Sequence, residues 1–219
     1  PAGGQQVRVG EGHPVIVACV LRSGGHYDVE YVERLYRDVR WYTPAARFVC
    51  LSDVDVPCER IPLIHDWPGW WSKIELFRPG LFHGPVLYLD LDSLVVGDVT
   101  PLFRKRFTAL ADFYRPSSGI GSGVMAWEGD MSHLYHTFRE TPDIWQNHCT
   151  SRECWGDQGF IALHQQADKF QQLLPDLVQS VKLRAPRAKA RVLCFHGRPK
   201  PRDVNWRAPS GVYTVRSRA

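Results

Sequence analysis

Apolar residues run unbroken from Val15 to Leu21, and a stretch this rich in β-branched side chains reads as a strand buried on both faces. Ser23-Gly24-Gly25 interrupts it. Asp28 then stands where it can cap a helix, in which Val29, Val32, Leu35, Tyr36 and Val39 recur at helical spacing. Phe48–Leu51 and Ile61–Ile64 predict two further strands, and Lys73–Phe77 a short helix stopped by Pro79. Val86–Leu91 predicts the next buried strand, with a short one at Leu94–Val96 behind it. Thr108–Ala111 and Gly123–Trp127 have the pattern of strands, Met131–Arg139 and Gln158–His164 that of helices, and Val192–Phe195 that of a late strand. Strands alternating with helices predict an α/β layered fold whose central sheet is largely parallel. No repeat, low-complexity block or linker divides the chain, so residues 1–219 read as one domain.

Composition adds exclusions. Hydrophobic residues make up 44% and charged ones 23%, a balance that argues against disorder, collagen and long coiled coil. The longest uncharged apolar run, Val15 to Leu21, falls far short of the roughly 18 residues a membrane span needs. No basic-then-apolar leader is read at the start of the sequence, and the start at Pro1 leaves a trimmed leader open. The net charge of +4 conceals an asymmetry: residues 182–219 hold eleven Lys or Arg against one acid, Asp203, so the rest of the chain is acidic. A basic end of this kind suits phosphate, nucleic acid or an anionic membrane surface, or is simply solvated.

Cys19, Cys50 and Cys194 lie in apolar runs, where a thiol behaves as a small hydrophobe. A chain of this size needs no disulfide framework, so a reducing compartment and a cytoplasmic location are the expectation. Cys149 and Cys154, near His148, could hold zinc, but their four-residue spacing lacks a second cysteine pair.

The sharpest chemical feature is Pro85-Val-Leu-Tyr-Leu-Asp-Leu-Asp-Ser-Leu-Val-Val96, an apolar strand running into Asp90 and Asp92. Residues two apart in extended chain point the same way, so the two carboxylates converge. Hard oxygen ligands at the carboxyl end of a central strand suit Mg²⁺ or Mn²⁺ shared with a phosphate. The alternative is a pair of loop acids capping the next element. Gly156-Asp-Gln-Gly159 places an acid and an amide at a helix start, where Asp157 could equally be a cap. Phe195-His-Gly-Arg-Pro-Lys-Pro201 offers an imidazole, a glycine and a cation, although His196 alone could be structural. Trp70-Trp-Ser-Lys73 puts a lysine at a helix start, where a surface role is the usual one.

In this order, from about Val15 to Pro201, these segments resemble glycosyltransferase family 8, the retaining GT-A enzymes that include glycogenin and bacterial lipopolysaccharide galactosyltransferases. The resemblance implies the GT-A, Rossmann-like nucleotide-diphospho-sugar transferase fold, with a donor-nucleotide half (residues 13–112), a donor-sugar and acceptor half (113–201) and a basic tail (202–219). It implies Mn²⁺ or Mg²⁺ held by Asp90, Asp92 and His196, and a UDP-sugar donor. Leu21, Arg22 and Tyr27 would line the uracil pocket, with Leu91 between the metal-binding acids. Gly197 and Lys200 would grip the diphosphate, Lys73 and Asp112 would contact the donor, and Asp157 and Gln158 would stand beside the anomeric carbon. Where family members carry Asn-Ser-Gly or Asn-Ala-Gly, this chain has Gly121-Ser122-Gly123, so Ser122 takes the middle place and the asparagine is missing. The implied partners are a UDP-sugar and a carbohydrate or glycolipid acceptor, with the basic tail available for anionic membrane.

Two other classes fit parts of the pattern. A nucleotidyltransferase also uses an acid pair and a metal, but Ser23-Gly24-Gly25 has only Arg22 for charge. A nucleic-acid-binding module could use Arg184, Arg187, Lys189, Arg191 and Trp206, although the acidic body makes nucleic acid an unexpected partner.

Overall fold

The computed structural model describes residues 14–117, 119–183, 185 and 188–203. Arg184, Arg187, Trp206 and most of the 202–219 tail lie outside them, as does Ser118. Among the described residues ten strands follow in chain order: β1 (Ile16–Leu21), β2 (Arg47–Ser52), β3 (Glu59–Pro62), β4 (Val86–Leu89), β5 (Ser93–Val95), β6 (Thr108–Ala111), β7 (Ile120–Trp127), β8 (Asp168–Lys169), β9 (Val178–Ser180) and β10 (Val192–Cys194). Five α-helices accompany them: α1 (Val29–Tyr42), α2 (Ser132–Glu140), α3 (Pro142–His148), α4 (Gly156–His164) and α5 (Phe170–Leu173). Seven strands form the main sheet in the order β3-β2-β1-β4-β7-β6-β8, parallel except where β7 pairs antiparallel with β4 and β6. The expected α/β fold with a largely parallel, mixed sheet and flanking helices is what the chain adopts.

The apolar run at β1 explains the architecture. All six of its residues are buried, with β2 on one side and β4 on the other. Alternate side chains face opposite layers. Val17, Cys19 and Leu21 pack towards Val32, Leu35 and Val39 of α1, while Ile16, Ala18 and Val20 join the core beneath α2 and α4. The α1 stripe is shifted from the predicted one: Val29 is 36% exposed and Tyr31 is buried. Asp28 sits at the cap position, but its carboxylate bonds Arg202 Nη2 at 2.8 Å instead of a helix N–H.

Two predicted strands belong elsewhere. β5 and β10 leave the main sheet and form, with β9, a three-stranded sheet of order β5-β10-β9. β10 pairs antiparallel with β5 and parallel with β9. The turn after β4 allows this, since Ser93 N donates to Asp90 O at 2.9 Å and redirects the chain. The helix expected at Lys73–Phe77 is a 3-10 helix over Gly69–Phe77, ending before Pro79 as expected. β7 starts at Ile120, so Gly121-Ser122-Gly123 lies within the strand, beside a register shift at Ala109/Leu110 of β6. Among the described residues no helix is long and apolar enough to cross a membrane.

Candidate active site

β4 delivers Asp90 and Asp92 to the carboxyl edge of the main sheet, where parallel strands open a crevice. Asp90 N donates to Gly123 O at 2.8 Å, which anchors the first acid to β7. A Cβ on Gly123 would stand 3.1 Å from Asp90 Oδ2, so a glycine there allows the two strands to close around the carboxylate. Asp90 Oδ1 accepts from Tyr88 Oη and lies 3.2 Å from Lys73 Nζ. Asp92 is 7% exposed. Its Oδ2 accepts from Tyr27 Oη at 2.7 Å and from Lys200 Nζ at 2.5 Å. Burial, and then the negative charge of Asp90, raise the Asp92 pKa above the usual carboxylate value, against the pull of Lys200.

Lys73, for which a surface place was the ordinary expectation, is 5% exposed. Its ammonium lies 2.8 Å from Asp157 Oδ2 and donates to Ser122 Oγ at 3.0 Å, while Ser122 Oγ donates to Asp157 Oδ2 at 2.6 Å. Burial pulls the lysine's pKa down, but Asp157 and Asp90 outweigh it and hold the pKa above the ordinary value. Asp157 therefore is not a helix cap. Trp155 occupies the cap position of α4, and Asp157, the second residue of the helix, turns inward to the lysine.

The other expected residues gather around the same space, a cavity of about 990 Å³. Leu21, Arg22, Tyr27, Leu91, Asp112, Ser122, Gln158, His196 and Gly197 line it together with Lys73, Asp90, Asp92 and Asp157. Lys200 reaches it through Asp92 and through the Tyr27 ring, over which its Nζ lies 5.0 Å from the centroid. Arg22 pairs with Asp53 and Asp66. Asp112 accepts from the backbone N–H groups of Tyr114 and Arg115 and from Arg115 Nη2; burial opposes its charge, but these bonds prevail and lower its pKa.

His196 lines the same cavity as the acid pair, with its ring held from two sides. Its Nε2 is 2.6 Å from Ser180 Oγ of β9 and its ring stacks on Phe113 at 4.9 Å. Burial, and then the nearby Lys182 charge, lower its pKa. Among the described residues no three His, Cys, Asp or Glu side chains are already drawn together as a metal-binding group. The donor chemistry of the acid pair nevertheless suits a hard divalent cation: two buried-edge carboxylates whose mutual repulsion is already expressed in Asp92. The Cys149 and Cys154 thiols face one another at 2.8 Å, with the His148 ring turned to Trp145, so no zinc-binding group forms there.

Several cavity residues escaped the sequence reading. Tyr88 was legible, because period-two spacing puts it on the same face as Asp90. Arg115, one turn from Asp112, and Trp155, just before the Asp-Gln pair, had no comparable signal.

No protein-family model and no curated protein sequence matches the chain. Solved structures do. The apo form of the glycosyltransferase GlyE from Streptococcus pneumoniae TIGR4 is similar over 86% of this chain, with a TM-score of 0.62 and 15% identity. This chain spans only 56% of the length of GlyE. An active-site glutamine-to-glutamate mutant of LgtC gives a TM-score of 0.59 at 12% identity, covering 85% of this chain and 89% of LgtC. The galactosyltransferase LgtC in complex with donor and acceptor sugar analogs gives 0.57 at 12% identity, covering 85% and 88%. The chain thus has the GT-A fold, shared with these glycosyltransferases.

Proposed function

We propose that this protein is a metal-dependent retaining glycosyltransferase that moves a sugar from a UDP-sugar to an acceptor hydroxyl. The observation that carries the reading is the buried Lys73 ammonium shared by Asp157 and Asp90, beside Asp92, at the sheet edge of a GT-A fold. Asp90 and Asp92 would hold Mn²⁺ or Mg²⁺, with His196, on the same cavity wall, as the third ligand. A divalent cation there supplies positive charge against a diphosphate leaving group.

This chain's own residues account for the rest. Lys200 offers a charge-assisted donor to the diphosphate, and Tyr27 an aromatic face to the base. Lys73 and Ser122 fix the Asp157 carboxyl group in place, and Asp157 orients the sugar hydroxyls. Gln158, in the first turn of α4, stabilises the oxocarbenium-like carbon through its amide oxygen. The bond from the anomeric carbon to the β-phosphate oxygen breaks as the bond to the acceptor oxygen forms on the same face. The acceptor proton passes to the departing phosphate oxygen, which leaves as UDP. Asp157 is held by Lys73 and Ser122, which argues against a covalent intermediate on it.

A nucleotidyltransferase reading has less support. The Ser23 N–H and hydroxyl, at the start of the only glycine pair after β1, both bind the Asp53 carboxylate, and an acid there repels a phosphate. The test is incubation with Mn²⁺ and a panel of UDP-sugars without acceptor. Slow release of UDP, abolished in Asp90→Asn and Asp92→Asn, is expected. Conversion of the UDP-sugar to UTP and sugar 1-phosphate on addition of pyrophosphate, or undiminished Mn²⁺-dependent turnover in both variants, would overturn the proposal.

A further inference from the structure

Four tryptophans bracket the polar knot, and they divide into two kinds. Trp67 and Trp71 are buried and pack on Phe138 in the core. Trp70 and Trp155 are 52% and 50% exposed, and both line the cavity. Trp70 stands three residues before Lys73 in the 3-10 helix, hence on the same face. Trp155 stands two residues before Asp157. The two elements that bring the lysine and the acid together therefore bring the two indoles together at the cavity mouth.

Their centroids are 6.2 Å apart and their planes meet at 44°. A flat ring held between two others needs about 3.5–4.0 Å on each side, so nothing slots between these. They make an angled platform whose outward faces stay open. Gly156 makes the closeness feasible: its φ is +56°, and a Cβ there would be 2.9 Å from Trp70 Nε1. An indole pair half in water, adjoining a reaction centre, is a surface built for contact.

The neighbouring charges select the occupant. Arg22 is committed to Asp53 and Asp66, and Arg115 to Asp112. A phosphate-bearing ligand would have to break those pairs or rest on Arg152 alone. A neutral pyranose would not: its C–H face packs on the electron-rich face of an indole, and its hydroxyls find the Gln158 amide and Arg152 at the rim. We infer that Trp70 and Trp155 form the acceptor subsite, and that it takes the terminal pyranose of a neutral oligosaccharide. This rests on the glycosyl-transfer reading and adds the acceptor class to it.

Saturation-transfer NMR with lactose, N-acetyllactosamine, cellobiose and maltotriose tests it, with calorimetric titration of UDP in parallel. Wild-type protein should bind at least one of the four. Trp155→Ala should weaken that binding by about tenfold, the equivalent of one good aromatic contact. Trp155→Phe should restore most of it, and Trp41→Ala, at a 67% exposed site on α1, should not matter. UDP affinity should stay within twofold throughout. Absence of binding by all four saccharides, or undiminished binding in the Trp70→Ala/Trp155→Ala double variant, would overturn the inference. So would parallel loss of UDP binding, which would make the indoles part of the donor site. Failure of wild-type protein to bind UDP would sink the donor reading instead.

Discussion

Lys73 Nζ lies 2.8 Å from Asp157 Oδ2, and this contact joins the 3-10 helix to the first turn of α4. Both partners are almost fully buried, so the pair is sheltered from screening. Replacing Lys73 with Met leaves Asp157 and Asp90 facing each other without a cation. We expect about 3–5 kcal/mol of lost stability, read by urea denaturation. Asp157→Asn should cost less, because Lys73 keeps Asp90. Equal stability of Lys73→Met and wild type would refute the argument.

Lys200 supplies the only cation that hydrogen-bonds Asp92 among the described residues. Lys200→Ala should lower UDP affinity by about tenfold or more, the scale of one charge-assisted bond. Titration calorimetry at two salt concentrations measures it, and the difference should shrink as salt rises.

Asp38 gives a pH signature away from the cavity. Burial in α1 pushes its pKa up from 3.8 to about 6, against the opposing charges of Arg34 and Arg37. A carboxyl with a raised folded pKa binds its proton more tightly in the fold. Its contribution to stability is therefore fully present below about pH 4 and lost as pH rises through about 6. The span corresponds to at most about 3 kcal/mol. In Asp38→Asn this pH-dependent increment should vanish, so the stability difference from wild type should change sign or size between pH 4 and 7. Parallel pH profiles in the two proteins would refute it.

Gly156→Ala should be costly for two reasons, a left-handed backbone and the Trp70 indole in the way. We expect about 1–2 kcal/mol from the backbone alone, measured by thermal unfolding. The clash adds to it. Gly129→Ala, also at positive φ but with no atom near, isolates the backbone part.

Much of this was legible because it was local. The run Val15–Leu21 announced a doubly buried strand, and Tyr-Leu-Asp-Leu-Asp announced two acids on one face. The motif order put nearly every expected side chain on one cavity. What escaped depended on distant partners. Ser122 reads as a loop residue between glycines, yet it sits inside β7 because β6 shifts register beside it. The contact between His196 and Ser180 was not legible, because Ser180 lies on β9, whose Val-Gln-Ser carries no strand pattern. α3 went unseen because none of its residues is buried, so no apolar stripe marks it. Trp70 and Trp155 were invisible as a pair because 85 positions of sequence separate them.

The small sheet has a consequence for how the molecule is made. β10 is its middle strand, so neither β5 nor β9 has its sheet partner until β10 arrives. Phe195 N donates to Asp92 O at 3.3 Å, and Lys200 meets Asp92 across 108 positions of sequence. During synthesis, Lys73, Asp90 and Asp157 emerge and assemble first, while the loop that carries Asp92 waits with an open strand edge. The end of the cavity that holds Asp92 and Lys200 is thus finished well after the end that holds Lys73 and Asp157. A nascent chain halted at α5 would carry the residues of the main sheet and of the lysine knot, but neither β9 nor β10 nor Lys200.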